Sequence, residues 1–317
     1  MPCVVEVVTG WLTGPWGVIG IAAACVLLIT WWAQRTLGAT TGLVTLLLSA
    51  AALACVWINF QVTSIEQWRG GTLWRTLAVF ALPAATGTVV ALIRNRGRLA
   101  PRWWAFLAAL WLGPTLVVWI SQLRPFHDLP DVSFANTMWF AATSTLVYVA
   151  VPVAFALVFG QRVRSYGLSW GTIRSEARYL LLIVPVVALL VFFVSSEARF
   201  QAVYPFYDFA HGGDGAVAKL LAFEAVYGLS FVALEFFFRG FLAIGGSHVL
   251  GACAVPVMAF AYCLLHLGKP MPECASSLIG GLALGFIALR FRSIAVGVAA
   301  HLTMAWGMDA AVVWRTT

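Results

Sequence analysis

Glu235 and Arg239 stand in the most apolar part of this chain. Residues 223–241 read FEAVYGLSFVALEFFFRGF, with the two charges four residues apart. On a helix, positions i and i+4 lie one above the other on one face, so carboxylate and guanidinium can meet. A charge at membrane depth costs on the order of 3 kcal/mol even on the mildest insertion scale, so the pair is expected to have a use. His266, His301 and Asp309 recur inside later apolar segments. A glutamate and a histidine in a water-accessible cavity form a minimal kit for activating water. The carboxylate takes the proton, and the imidazole orients the water or donates to the leaving group. A second histidine can donate to an oxyanion, where preorganised donors contribute most. Two histidines and a glutamate are also an acceptable zinc set. The spacing is not H-E-x-x-H, so no cofactor is expected, with zinc as the alternative.

The composition says what kind of element must carry these groups. Hydrophobic residues make up 62% of 317 and charged residues 10%, against roughly 45–50% and 25% in a soluble domain. Apolar stretches that can cross a bilayer as helices fall near 15–33, 42–60, 73–93, 103–123, 138–159, 179–194, 217–249, 254–267, 276–290 and 293–313. The expectation is an all-α, polytopic transmembrane bundle of about ten spans. The Trp pairs 31–32 and 103–104 read as interfacial belt residues.

Of the 19 basic residues 17 are Arg, and they cluster in alternate loops: 94–102, 161–178, and Arg290 with Arg292. By the positive-inside rule these loops are cytoplasmic. The intervening loops, with Arg124, Asp128 and Asp131 and then Glu197, Arg199, Asp208 and Asp214, are neutral or acidic, and ten spans with both termini outside fit all of them. The net charge of +7 is then a topology signal, and no nucleic-acid partner is expected. No cleavable signal peptide is expected, because no basic residue precedes Arg35. The six cysteines form no C-x-x-C pair and read as small apolar residues. Arg and Ala dominance with two lysines suggests a bacterial inner-membrane protein.

Residues 1–160 hold five spans with few polar groups, Asn59 and Thr63 among the exceptions. In 161–317 polar residues recur within the spans, and such groups should face a shared interior rather than lipid. Gly251 marks a turn, with Pro256 in the first turn of the next helix. Glu235 and His266 each lie about 15 residues from that turn, roughly 20–25 Å of helix, so they can reach one depth. The His211-Gly212-Gly213-Asp214-Gly215 stretch reads as an outer loop, His248 as a helix-packing residue, and Glu224 as cavity wall three turns before Glu235.

With these residues in view, the second half resembles the type II CAAX prenyl endopeptidases and their bacterial CPBP (Abi) relatives, as a divergent member. Leu234-Glu235-Phe236-Phe237-Phe238-Arg239-Gly240 is similar to the E-E-x-x-x-R-G motif, and Tyr262 through His266 to aromatic-x-x-x-His. Gly280 to Phe286, with Arg290, Ser293 and Ile294, resembles the lead-in to a third motif at His301, and Tyr166-Gly167-Leu168 a stretch before the domain. The resemblance implies an intramembrane endopeptidase in which Glu235 and His266 activate water, His301 donates to the oxyanion and Arg239 orients Glu235. Two positions depart from it: Leu234 replaces the first glutamate, usually assigned as the base, and Ala305 replaces the Asn or Asp four residues after the third-motif histidine.

The expected function is hydrolysis of a peptide bond in a membrane-associated or exported protein. Lys269, Glu273, Asp309 and Tyr262 are the candidate substrate contacts, and Asp309 is a candidate stand-in at the Ala305 position. Lys269 and Glu273 read most simply as an i,i+4 pair at a loop-to-helix junction. The alternative is an inactive pseudo-protease, or a peptide-binding or transport protein that uses the same cavity. Transporters favour repeated halves, and no repeat is evident.

Overall fold

The computed structural model describes residues 14–62, 73–121, 123–129, 131–168, 173–196, 201, 204–207 and 215–316. Cys3, Thr63, Glu197, Arg199, Asp208, His211 and Asp214, each given a reading above, lie outside the described residues. Among the described residues the regular structure is entirely helical: α1 Pro15–Leu37, α2 Ala39–Val62, α3 Leu73–Arg94, α4 Pro101–Ser121, α5 Val132–Val158, α6 Ile173–Val194, α7 Ala216–Glu235, a π-helix Phe236–Gly245, α8 Ser247–Leu250, α9 Ala254–Leu265, α10 Met271–Phe291 and α11 Ala295–Thr316, with short 3₁₀ turns at Val163–Ser165 and Gly251–Cys253. The chain is a polytopic helical bundle, with nine helical stretches among the described residues long and apolar enough to span a membrane.

The sequence reading counts ten because it divides the stretch Ala216–Leu265 at Gly251. That stretch is a 50-residue helical path, roughly 75 Å at 1.5 Å per residue and more than twice the ~30 Å hydrocarbon core. Gly251 interrupts it with φ 60°, a conformation that residues with a Cβ avoid. A Cβ there would also press on the Arg94 guanidinium. The path is buried over 78% of its most apolar window, whereas Arg174–Phe193 is buried over only 11%. The Glu235–Arg239 motif therefore sits on the candidate span most enclosed by protein among the described residues.

The chain divides into two compact units, both discontinuous in sequence. The first comprises Met1–Thr115 and Leu242–Arg290. In it α1 packs on α2, and α9 packs against α2 and α3. Every residue of α9 from Ala254 to Leu264 is buried. Asn59 of α2, one of the few polar residues in the early spans, donates to the Leu267 carbonyl at 3.1 Å. Asn95 donates to the Val249 carbonyl at 3.1 Å. Each amide satisfies a backbone oxygen freed where a helix ends or turns, which matters where water is scarce.

The second unit comprises Leu116–Phe241 and Phe291–Thr317. Here α5 packs on α7, and α11 packs on both α6 and α7. Asp131 caps α5 by accepting the Phe134 N–H at 2.9 Å. It also accepts from Tyr207 Oη and Lys219 Nζ, each at 2.9 Å. The Lys219 hydrogen bond, with the cap bond next, holds the Asp131 carboxyl below the usual carboxylate range. One side chain thus ties the start of α5, the 204–207 segment and the start of α7 together.

The helical pattern leads one to expect a plain α-helix through Arg239, and the structure differs: Phe236–Gly245 is a π-helix. Such segments are rare and cluster at functional sites. Its ring contacts explain the wide turn. Tyr148 of α5 packs on Phe237 and Phe238 with centroids 5.4 and 5.8 Å away, and Phe155 packs on Phe241 at 5.1 Å. Phe237, Phe238, Arg239 and Phe241 are all fully buried. Four large side chains in five residues need more circumference than an α-turn gives them.

Candidate active site

Two helices of the second unit meet along registers of period four. On α7 the ladder is Phe223, Tyr227, Phe231 and Glu235, continued by Arg239 in the π-helix; on α11 it is Gly297, His301, Ala305 and Asp309. Such spacing lines up one face of a helix. Gly297 lies against the Glu235 carboxylate so closely that a Cβ would overlap it. His301 stacks on Phe231, with centroids 5.5 Å apart and planes 18° apart. Ala305 is buried with Phe223 and Tyr227 in one aromatic cluster. A second close approach comes from Gly228, where a Cβ would meet the Trp306 ring at 2.6 Å. The Trp306 indole N–H donates to the Glu224 carbonyl at 3.1 Å.

At the head of this contact Glu235, Arg239 and His301 come together. Arg239 Nη1 lies 2.9 Å from Glu235 Oε1, with both side chains fully buried. His301 Nδ1 lies 2.8 Å from the same oxygen and 3.2 Å from the Gly297 carbonyl oxygen. Removing an ion pair from water costs several kcal/mol per ion, and is offset only by close geometry and further hydrogen bonds. The site has both.

Two further sequence features acquire a reason here. Gly240 abuts the Tyr166 carbonyl, where a Cβ would collide, and the Ile294 N–H donates to the Gly167 carbonyl at 3.2 Å. Tyr166-Gly167 therefore holds both the π-helix and the start of α11. Tyr166 is itself buried, and burial pushes its phenol up to about 12. Leu234 is buried too.

Asp309 accepts the Phe206 N–H at 3.1 Å and neighbours the Glu224 carboxyl. It lies eight residues, about 12 Å of helix, beyond His301. Tyr262 and His266 belong to the first unit. His266 follows the last residue of α9, with Nδ1 2.9 Å from the Tyr262 carbonyl oxygen and its ring 4.7 Å from the Tyr262 ring. Lys269 and Glu273, also in the first unit, form the expected i,i+4 ion pair at 2.9 Å, about a third exposed. Among the described residues no three His, Cys, Asp or Glu side chains are grouped so as to hold a metal. Sequence reasoning did not find Phe231 and Gly297. Their signal was the shared period-four register with Glu235 and His301.

The fold and site thus define a polytopic membrane protein in which a fully buried Glu–Arg pair, on the most enclosed helical stretch among the described residues, meets a buried histidine of α11. Residues 216–307 match the family model of the Type II CAAX prenyl endopeptidase Rce1-like domain. This segment contains the cluster and the Tyr262–His266 pair. No curated protein and no solved structure matches the chain.

Proposed function

We propose that the chain is an intramembrane endopeptidase that hydrolyses a peptide bond of a membrane-associated or exported protein in a bacterial inner membrane. Glu235 and His266 activate the water, His301 donates to the oxyanion, Arg239 orients the glutamate, and Lys269, Glu273, Tyr262 and Asp309 contact substrate. The observation that carries this reading is the buried Glu235–Arg239–His301 cluster, all of which lies within the segment that matches the Rce1-like model. Buried ionisable groups at membrane depth are costly, and this set has the chemistry that peptide hydrolysis needs.

A strain lacking the protein should accumulate an uncleaved precursor in its membranes. Wild-type protein should clear that precursor, whereas Glu235→Gln and His266→Ala should not. Clearance by both variants would sink the proposal. A chelator is expected to leave wild-type cleavage unchanged. The replacement of the first motif glutamate by Leu234 favours a second reading, a peptide-binding pseudo-protease. In that case the strain would accumulate nothing, and purified protein would retain peptides without cutting them.

A further inference from the structure

We propose that His301, through Nε2, takes the proton from the attacking water, and that Glu235 is its positioning partner rather than the base. This inference rests on the hydrolase reading above and changes the division of labour within it. A base must come within about 2.6–3.2 Å of the proton it removes. The Glu235 side chain is 0% exposed, and its Oε1 is engaged by both Arg239 Nη1 at 2.9 Å and His301 Nδ1 at 2.8 Å. Its Oε2 lies against the Gly297 backbone. Both oxygens are thus enclosed by protein. His301, at 5% exposure, retains some surface while the glutamate and arginine retain none.

The hydrogen-bond pattern also fixes the tautomer. His301 Nδ1 faces two oxygens, the Glu235 carboxylate and the Gly297 carbonyl. Both are acceptors, so Nδ1 carries the hydrogen. In the neutral ring Nε2, on the opposite edge, is then the acceptor. Phe231 stacked on the imidazole holds the ring plane. A buried carboxylate that sets the tautomer of a histidine base and stabilises its imidazolium is a known solution to activating a hydroxyl. Here the hydroxyl is that of water. This division also explains why a buried leucine is tolerated at position 234, because no carboxylate is required there.

The step balances. A water O–H bond breaks and its proton goes to Nε2 as the oxygen bonds to the scissile carbonyl carbon, giving a tetrahedral oxyanion. The C–N bond then breaks, and the Nε2 proton passes to the departing nitrogen. The products are an acid and an amine, and the imidazole is again neutral.

The test combines two readouts on the purified full chain in detergent. Nitrogen NMR of ¹⁵N-histidine-labelled protein should show His301 as the Nδ1–H tautomer. In Glu235→Gln the amide oxygen stays with Arg239 and its N–H faces Nδ1, so the proton should move to Nε2. In cleavage assays with membrane peptides, His301→Gln and His301→Asn keep a hydrogen-bond donor but no base. Both should lose on the order of 10²–10⁴-fold, as much as His301→Ala. An Nε2–H tautomer in wild type overturns the assignment whether or not the variants fold. So does a His301→Gln variant that still cleaves within about tenfold of wild type. If wild type cleaves nothing, the hydrolase reading falls and the assignment with it. If wild type and His301→Gln both cleave, the assignment alone falls.

Discussion

The backbone of Gly297 occupies the space beside the Glu235 carboxylate, so that even a methyl group at 297 would overlap an oxygen. This contact sets how closely α11 approaches α7, and so where His301 stands. Gly297→Ala is therefore expected to push the glutamate off His301, abolish cleavage and destabilise the fold by about 1–3 kcal/mol, the usual range for overpacking. Gly280→Ala is the control. It is also helical, but its Cβ would meet nothing within 4 Å, so it should be neutral or stabilising by up to about 1 kcal/mol. Thermal unfolding in detergent and cleavage rates check both; equal behaviour of the two variants would count against the contact.

Arg239 and Glu235 should behave as a buried pair. Arg239→Met leaves a carboxylate enclosed without its guanidinium, and should cost about 3–5 kcal/mol. Replacing both, as in Glu235→Met with Arg239→Met, should recover most of that stability while cleavage stays absent. Denaturant unfolding of the single and double variants measures the difference. A single variant within about 1 kcal/mol of wild type would contradict the pairing.

Asp131 gives the fold an acid sensitivity at the membrane surface. Lys219 holds its carboxyl below the ordinary value, which is near 3.9 in an unfolded chain. Its stabilisation is fully present above that value and is lost as pH falls through the lower folded value. The melting temperature of wild type should therefore drop more steeply below about pH 4 than that of Asp131→Asn. At neutral pH the variant should be the less stable of the two, since the Lys219 ion pair is gone. Parallel melting curves across pH would show that the Asp131 network contributes nothing.

Asp309 acts on the Phe206 backbone through Oδ1, an atom that an asparagine reproduces. Asp309→Asn should keep the fold and Asp309→Ala should lose about 1 kcal/mol, typical of one hydrogen bond. Comparing cleavage by the two shows whether the carboxylate has a further role at the substrate. Loss of cleavage in Asp309→Asn with unchanged melting would assign it one.

The composition made the helical membrane bundle legible, and the spacing of Glu235 and Arg239 made their ion pair legible. The Lys269–Glu273 pair followed from the same i,i+4 rule. Other features were not readable. The π-helix depends on how Tyr148 and Phe155 press on the phenylalanine run, which is a tertiary demand with no local period. The orientation of His301 depends on which nitrogen meets Glu235, and spacing along one chain cannot state that. Ala305, seen in the sequence as a missing polar residue, is buried against Phe223 and Tyr227, so the position serves packing here. The register shared by Gly297, His301 and Ala305 with Glu235, Phe231 and Tyr227 was present in the sequence as two period-four ladders. Reading it required knowing that α7 and α11 are neighbours.

Peptide-bond hydrolysis by this cluster leaves its mark in the oxygen of the attacking water. Purified wild-type protein is incubated in H₂¹⁸O with solubilised membranes from cells lacking it, and new peptide C-termini are sought by mass spectrometry. Wild type should give ¹⁸O-labelled termini, and Glu235→Gln and His301→Ala should give none. No labelled termini with wild type, or the same termini with all three proteins, would contradict it.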